Sequence, residues 1–263
     1  MIIKEYVKLK KEEMKNEVLS FARKPSLTII QVNEDAGSNA YVKGKLKDAA
    51  EIGVDAKLIK LPVVISQEEL LEEIDKVNKD NSVDALIVQM PLPKGINEEI
   101  IKLAVDPKKD IDGFHPLSEY LPCTPLGIIN YLKSEGVDFV GKNAVVIGRS
   151  NIVGKPAAKL LLKEHCNVTV LHSRTKKEDM DFYLAHADII VVAIGKKWFL
   201  SDQPLKKSAI VVDVGISRDE DGLHGDAKPD LDVFLQTPVP GGVGLLTRIT
   251  LMHNLLEAYK HNN

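Results

Sequence analysis

The sequence predicts an α/β fold of two domains: an α/β domain, and a Rossmann-like domain built on a parallel sheet. Three observations predict it. Strand-length apolar runs alternate with helix-length stretches almost throughout the chain. At 263 residues, 44% of them apolar, the chain is longer than one typical domain and can bury a sizeable core. Within it, residues 144–156 read in immediate succession as a buried strand, a glycine turn and a helix start.

The first run opens with a charged helix over 8–22 and a strand over 27–32. A helix over 38–52 follows, stopped by Gly53, and leads to a strand over 55–61. Ser66, with Glu69 three residues on, carries the capping-box signature of another helix start. The strand 85–89 ends at the turn Pro91-Leu92-Pro93, and a short helix over 98–104 precedes the punctuated segment 106–125. That segment is the expected domain junction.

The second run begins at Pro125, in the first turn of a helix reaching Glu135 with Thr124 as its cap. After the strand and turn at 144–156 come a helix over 156–164, a strand over 168–171 and a helix over 177–186. Strands over 188–193 and 209–214 follow. The glycine-rich segment 238–244 ends in a helix over 246–259, expected to return to the first domain. The expected boundaries are 1–121 plus 246–263 for the first domain and 122–245 for the second. There is no internal repeat or low-complexity tract.

Composition narrows the function classes. The formal charge is only −3, no Lys/Arg block stands alone and aromatics are 5%, so nucleic-acid and anionic-membrane surfaces lack support. The longest apolar runs are of strand length, too short for a bilayer. The first five residues lack the features of a secretory signal. Cys123 and Cys166 read as reduced cytosolic thiols, neither a disulfide framework nor a metal site, so a cytoplasmic location and no metal are expected.

In the glycine turn, Gly148 lets backbone approach a ligand, and the helix that follows directs unpaired N–H groups and its positive dipole end at an anion. A pyrophosphate suits that cradle. The six-residue spacing from Gly148 to Gly154, with Arg149, Ser150 and Asn151 between, departs from the common dinucleotide fingerprint, and a tight ligand-free corner is the plainer alternative. After the strand 168–171, His172-Ser173-Arg174-Thr175 supply hydroxyl donors and a cation where an acidic residue would favour a free ribose 2′-hydroxyl. With Arg149 they suit a 2′-phosphate, favouring NADP over NAD. Two solvated loop arginines are the alternative.

A second constellation opens the helix 38–52. Tyr41 and Lys45 share a face, and the apolar stripe of Val42, Leu46 and Ala49 leaves Tyr41, Lys45 and Asp48 at its border, beside the strand ends where ligands bind. A desolvated lysine there can transfer protons, though an ordinary surface lysine fits the spacing too. Gln89 ends its strand at the carboxyl edge, where an amide can orient a lysine amine. Asp110 and Asp112 fall in Asp110-Ile111-Asp112-Gly113-Phe114-His115-Pro116. A carboxylate can take two hydrogen bonds from a flat heterocycle, or Asp112-Gly113 can simply turn the chain.

Six motifs in order carry a resemblance: Tyr41-x-x-x-Lys45, Val88-Gln89-Met90-Pro91-Leu92-Pro93, Asp110 to Pro116, Pro122-Cys123-Thr124-Pro125, Gly148-Arg149-Ser150-x-x-Val153-Gly154-x-Pro156, and Thr237-Pro238-Val239-Pro240-Gly241-Gly242-Val243-Gly244. Together they resemble the bifunctional methylenetetrahydrofolate dehydrogenase/methenyltetrahydrofolate cyclohydrolases, from about residue 27 to the last helix. The resemblance implies oxidation of 5,10-methylenetetrahydrofolate by NADP, then hydrolysis of the methenyl product to 10-formyltetrahydrofolate, in a homodimeric enzyme. It implies a catalytic set of Lys45, the principal proton-transfer group, with Gln89 tuning it, Tyr41 stacking beside the folate and Asp112 holding the pterin. Ser38, Pro238, Gly241 and Gly242 join the substrate site. Gly148, Arg149, Ser150, Val153, Gly154, Ser173, Arg174 and Gly215 line the NADP site.

Two features depart from the family pattern. The connection from His115 to Pro122 is shorter, with Ser118 where an Asn usually falls, and Leu245-Leu246-Thr247 replaces Pro-Met-Thr. The rival readings are a dehydrogenase without the hydrolytic step and a non-catalytic dinucleotide-binding regulator.

Overall fold

The computed structural model describes residues 1–262. The chain divides into two compact units, one of residues 7–123 with 248–262 and the other of residues 1–6 with 124–247.

In the first unit, β1 (Ser26–Gln31), β2 (Asp55–Lys60) and β3 (Ala85–Gln89) form a parallel sheet in the order β2-β1-β3. Parallel strands need crossover helices, which α2 (Ala36–Ile52) and α3 (Gln67–Lys79) supply. The register sets Gln31 beside Gln89 at the carboxyl edge. Because β1 leads out to β2 on one side and the chain returns to β3 on the other, that edge is a topological switch point, where open α/β sheets bind ligands.

Local chemistry fixes the helix ends. Asp35 caps α2 by accepting from the Ser38 N–H at 2.7 Å, so the helix starts two residues before the predicted Ser38. Gly53 ends it in the left-handed conformation, at φ 88°. The Ser66/Glu69 capping box is formed as predicted. One sheet face packs Ile30, Val32, Leu86 and Val88 against Leu70, Ile74 and Val77 of α3 and Ile101 of α4 (Glu98–Ala104). The first helix, α1 (Ile3–Val18), lies earlier than the predicted 8–22, because Ile3, Tyr6, Val7, Met14 and Val18 form its buried stripe.

The second unit is doubly wound. Its five parallel strands follow the order β10-β7-β6-β4-β5: β4 (Asn143–Ile147), β5 (Asn167–Leu171), β6 (Ile189–Val192), β7 (Ile210–Asp213) and β10 (Leu235–Gln236). The helices α5 (Cys123–Ser134), α6 (Gly154–Lys163) and α7 (Lys177–His186) belong to this run. A core of Val145, Ile147, Ile190, Val192 and Val211 fills one side of the sheet with Leu184 and Leu200. The order reverses at β4, with β5 on one side and β6 on the other.

Four expectations need correction. Thr124 lies inside α5 and does not cap it; its hydroxyl meets that of Thr247 at 2.9 Å. The hairpin of β8 (Ile216–Asp219) and β9 (Gly222–Gly225), and the two-residue β10, were not predicted. The last helix, α8 (Val243–Asn262), starts three residues before the predicted 246. Residues 1–6 also go with the second unit, although 1–121 was assigned to the first: the Met1 amine pairs with Glu135, and Tyr6 lies edge-on to Tyr131.

Candidate active site

At the switch point of the first unit, α2 presents Ser38, Tyr41 and Lys45 at successive turns over the carboxyl end of β3. Lys45 is only 4% exposed, and its ammonium donates to Gln89 Oε1 at 3.1 Å while lying 5.7 Å from the centre of the Tyr41 ring. Gln89 is oriented in turn, because its amide nitrogen donates to the Met90 carbonyl at 2.7 Å. Its carbonyl oxygen is thereby turned to the lysine. Ser38 also donates to the Met90 carbonyl, at 3.2 Å, and Asn33 donates to that of Pro91 at 2.7 Å. The Met90-Pro91 peptide is cis. Gln31, hydrogen-bonded to Asn33 and Asn39, completes a polar layer along the strand ends.

Asp112 is half-buried in the segment leading to α5. Cys123, whose thiol donates to the Ile111 carbonyl at 3.2 Å, is buried, and burial above all pushes that thiol well up. The turn at Asp112-Gly113 is tight, with Gly113 at φ 71°, and a side chain there would strike the backbone of Tyr120, Leu121 and Pro122. Asp110 supports the loop from beneath: its carboxylate accepts from the His115 N–H at 2.7 Å, and burial pushes its pKa up to about 6. Ser118 donates to the Asp110 carbonyl at 2.9 Å. From α8, Asn254 donates to the carbonyls of Ile111 at 2.9 Å and Leu121 at 3.2 Å. The short 115–122 connection is therefore pinned at both ends.

In the second unit the glycine cradle has the form the sequence predicts. Gly148 leaves β4 at φ 122°, where a Cβ would collide with the Ala193 carbonyl at the end of β6. Gly154 opens α6 so close to Gly148 that a Cβ would strike the Gly148 carbonyl. Both glycines are therefore needed for close approach of backbone, as a phosphate-binding turn requires. The Ser150 hydroxyl accepts from the N–H groups of Val153 and Gly154, each at 3.2 Å. Arg149, Ser150, Ser173 and Arg174 are exposed on the loops after β4 and β5, with their side chains available to an anion.

Gly215 follows β7, and Pro238, Gly241 and Gly242 lie between β10 and α8. Gly242 packs against the Pro238 carbonyl, where a Cβ would clash. Of the residues singled out from sequence, Gln89 ends β3, Ser38, Tyr41 and Lys45 lie along α2 and Asp112 lies in a loop, all in one unit, whereas the others fall on loops or at the start of α6 in the second. Asp110 drew no role from sequence, and Asn254, Asp213 and Asp226 drew no notice. Their partners are distant in the chain and carry no spacing signal.

Comparison with known proteins accords with this geometry. Residues 2–112 match the family model for the tetrahydrofolate dehydrogenase/cyclohydrolase catalytic domain, and residues 122–263 match that for its NAD(P)-binding domain. The bifunctional protein FolD of Enterococcus faecalis is 47% identical over 250 residues, spanning 90% of this chain and 88% of that protein. Among solved structures, the Campylobacter jejuni FolD dehydrogenase/cyclohydrolase is 38% identical with a TM-score of 0.94, covering 98% of this chain and 97% of that one. The Trypanosoma brucei enzyme, in complex with NADP and an inhibitor, is 31% identical with a TM-score of 0.94, covering 99% and 97%. The chain belongs to the tetrahydrofolate dehydrogenase/cyclohydrolase family.

Proposed function

We infer that this protein oxidises 5,10-methylenetetrahydrofolate with NADP and hydrolyses the resulting 5,10-methenyltetrahydrofolate to 10-formyltetrahydrofolate. The observation that carries the reading is the buried Lys45–Gln89 pair beside Tyr41, in a chain matching both domains of the family.

NADP, when bound, accepts the hydride. The residues present fit it: Gly148 and Gly154 keep open a cradle that side chains would fill, and Arg149, Ser150, Ser173 and Arg174 offer cations and hydroxyls to its phosphates. Val153 and Gly215 complete the set of cofactor residues. Little acid–base work is asked of the protein in this step, which depends on alignment.

Hydrolysis demands more. Water adds to the methenyl carbon, one C–N bond of the bridge opens, and a net proton is released. Lys45 is the group that moves the proton at its Nζ, while Gln89 fixes the direction of that amine. The Tyr41 ring stacks beside the folate, Asp112 binds the pterin through two hydrogen bonds, and Ser38 lines the substrate. Asp110, Ser118 and Asn254 pin the loop carrying Asp112, so the short connection leaves the pterin-binding carboxylate supported.

The buried free thiols of Cys123 and Cys166 accord with a cytoplasmic enzyme, and no helix among the described residues is long and apolar enough to cross a membrane. The enzyme works as a homodimer.

A two-part spectrophotometric assay tests the function. NADP reduction with methylenetetrahydrofolate reads the first step, and methenyltetrahydrofolate alone reads the second. Both activities are expected, and Lys45→Met should lower hydrolysis by about 10²–10⁴-fold while NADP affinity holds. An unchanged hydrolysis rate in that variant would sink the role of Lys45.

A further inference from the structure

Two carboxylates buried at the carboxyl edge of the dinucleotide unit take no part in the steps above. Asp226, just after β9, is fully buried. Its carboxylate accepts from three successive backbone N–H groups after β6: Ile194 at 2.6 Å, Gly195 at 3.1 Å and Lys196 at 2.5 Å. Three converging N–H groups make an anion nest, here filled by a side chain of the protein itself. Asp213, the last residue of β7 and 2% exposed, accepts from the N–H groups of Asp226 at 2.9 Å and Ala227 at 2.9 Å. One carboxylate thus holds the turn, and the other holds the first.

The glycines around the pair make room for it. A Cβ on Gly215 would fall on the Asp226 carboxylate, and one on Gly225 would fall on Asp213 Oδ2. Gly215 stands among the residues assigned above to the cofactor, yet this clash gives it a second and sufficient reason to be glycine. The clamped turn is also the wall of the phosphate cradle. The atoms a Cβ on Gly148 would meet are the Ala193 carbonyl and the Ile194 side chain, the residues leading into the three bonded N–H groups.

We propose that Asp226 is the positioning residue of the dinucleotide site: its carboxylate fixes the 194–196 turn against the Gly148 cradle, and Asp213 fixes Asp226. The proposal rests on the functional reading above. Only an acceptor with two anionic oxygens can take three N–H bonds in this arrangement. An asparagine would turn an NH₂ group toward at least one of the donors, leaving that N–H unpaired and the turn displaced.

The bifunctional chain supplies its own control, because methenyl hydrolysis consumes no dinucleotide. Full-length wild type, Asp226→Asn and Gly225→Ala, whose methyl would push on the Asp213 carboxylate that holds Asp226, are compared in both assays. Direct NADP titration by calorimetry accompanies them. The expected result for both variants is a KM and Kd for NADP raised about tenfold or more, a kcat for hydride transfer that falls much less, and hydrolysis within about twofold of wild type. Unchanged NADP KM in Asp226→Asn would overturn the proposal. So would parallel loss of both activities in the two variants, since Asp226 would then be a general scaffold residue. A wild-type chain that reduces no NADP would instead fail the functional reading itself.

Discussion

The surroundings of Lys45 show how a single position depends on a residue two hundred places away. Gly44 sits mid-helix in α2, where glycine costs roughly 1 kcal/mol relative to alanine, and it is buried because the Arg248 guanidinium from α8 lies over it. Arg248 Nε reaches Asp48 Oδ2 at 2.9 Å, and Lys11 reaches Asp48 Oδ1 at 2.5 Å, so the 1% exposed Asp48 carboxylate has two cations. Gly44→Ala gains helix propensity but drives Arg248 off that carboxylate. The net outcome expected is destabilisation on the order of 1–2 kcal/mol, read as a lower Tm or urea midpoint. In an Arg248→Ala background the sign should reverse, and a stabilising Gly44→Ala in the wild-type background would refute the arrangement. Helical spacing placed Asp48 beside Tyr41 and Lys45 at the border of the apolar stripe. It could not show that Asp48 is buried, because Arg248 carries no periodic signal pointing to α2.

Among the elements, regular ones were legible and the loops between them were not. The strand 85–89 and the helices over 98–104 and 177–186 fall where their apolar patterns and punctuation put them. The β8–β9 hairpin was missed because its strands are four residues each, half polar and with a single buried residue between them, so no two-residue alternation stands out. The 106–125 segment read as a junction, but its internal support comes from Asp110, whose partners are backbone N–H groups that no motif announces. That support has a pH signature. Burial raises Asp110 to about 6 in the folded chain, above the roughly 4 of a free aspartate. Between those values the folded state holds more protons than the unfolded one, so this group's contribution is fully present below about pH 4 and is lost as pH rises through about 6. In Asp110→Asn that contribution vanishes, so the stability of the variant relative to wild type should improve steadily from pH 4 to pH 7. Urea titrations across that range check it, and parallel curves would show that Asp110 does not titrate there.

At the scale of the whole molecule, the chain runs between its two units through residues 6–7, 123–124 and 247–248, the last of these inside α8. The final helix was expected to return to the first domain. Its buried residues beyond Arg248 are what tie it there. Leu251, Met252, Leu255 and Leu256 are each 1% exposed or less. Tyr259 stacks on Phe21 with ring centres 4.4 Å apart and accepts from the Arg23 N–H, and Lys260 pairs with Glu17. Asn254 adds the two bonds that pin the Asp112 loop. Removing one buried Leu or Met side chain costs about 2–5 kcal/mol, and four lost together exceed most of the roughly 5–15 kcal/mol that holds a domain folded. A chain ending at Thr247 should therefore lose methenyl hydrolysis and show early hydrogen exchange across β1 and β3, the strands that carry Gln31 and Gln89. The glycine cradle lies wholly within 124–247, so NADP binding by the same truncated chain should outlast hydrolysis. Retained hydrolysis in that chain would mean that α8 covers the first unit without holding it together.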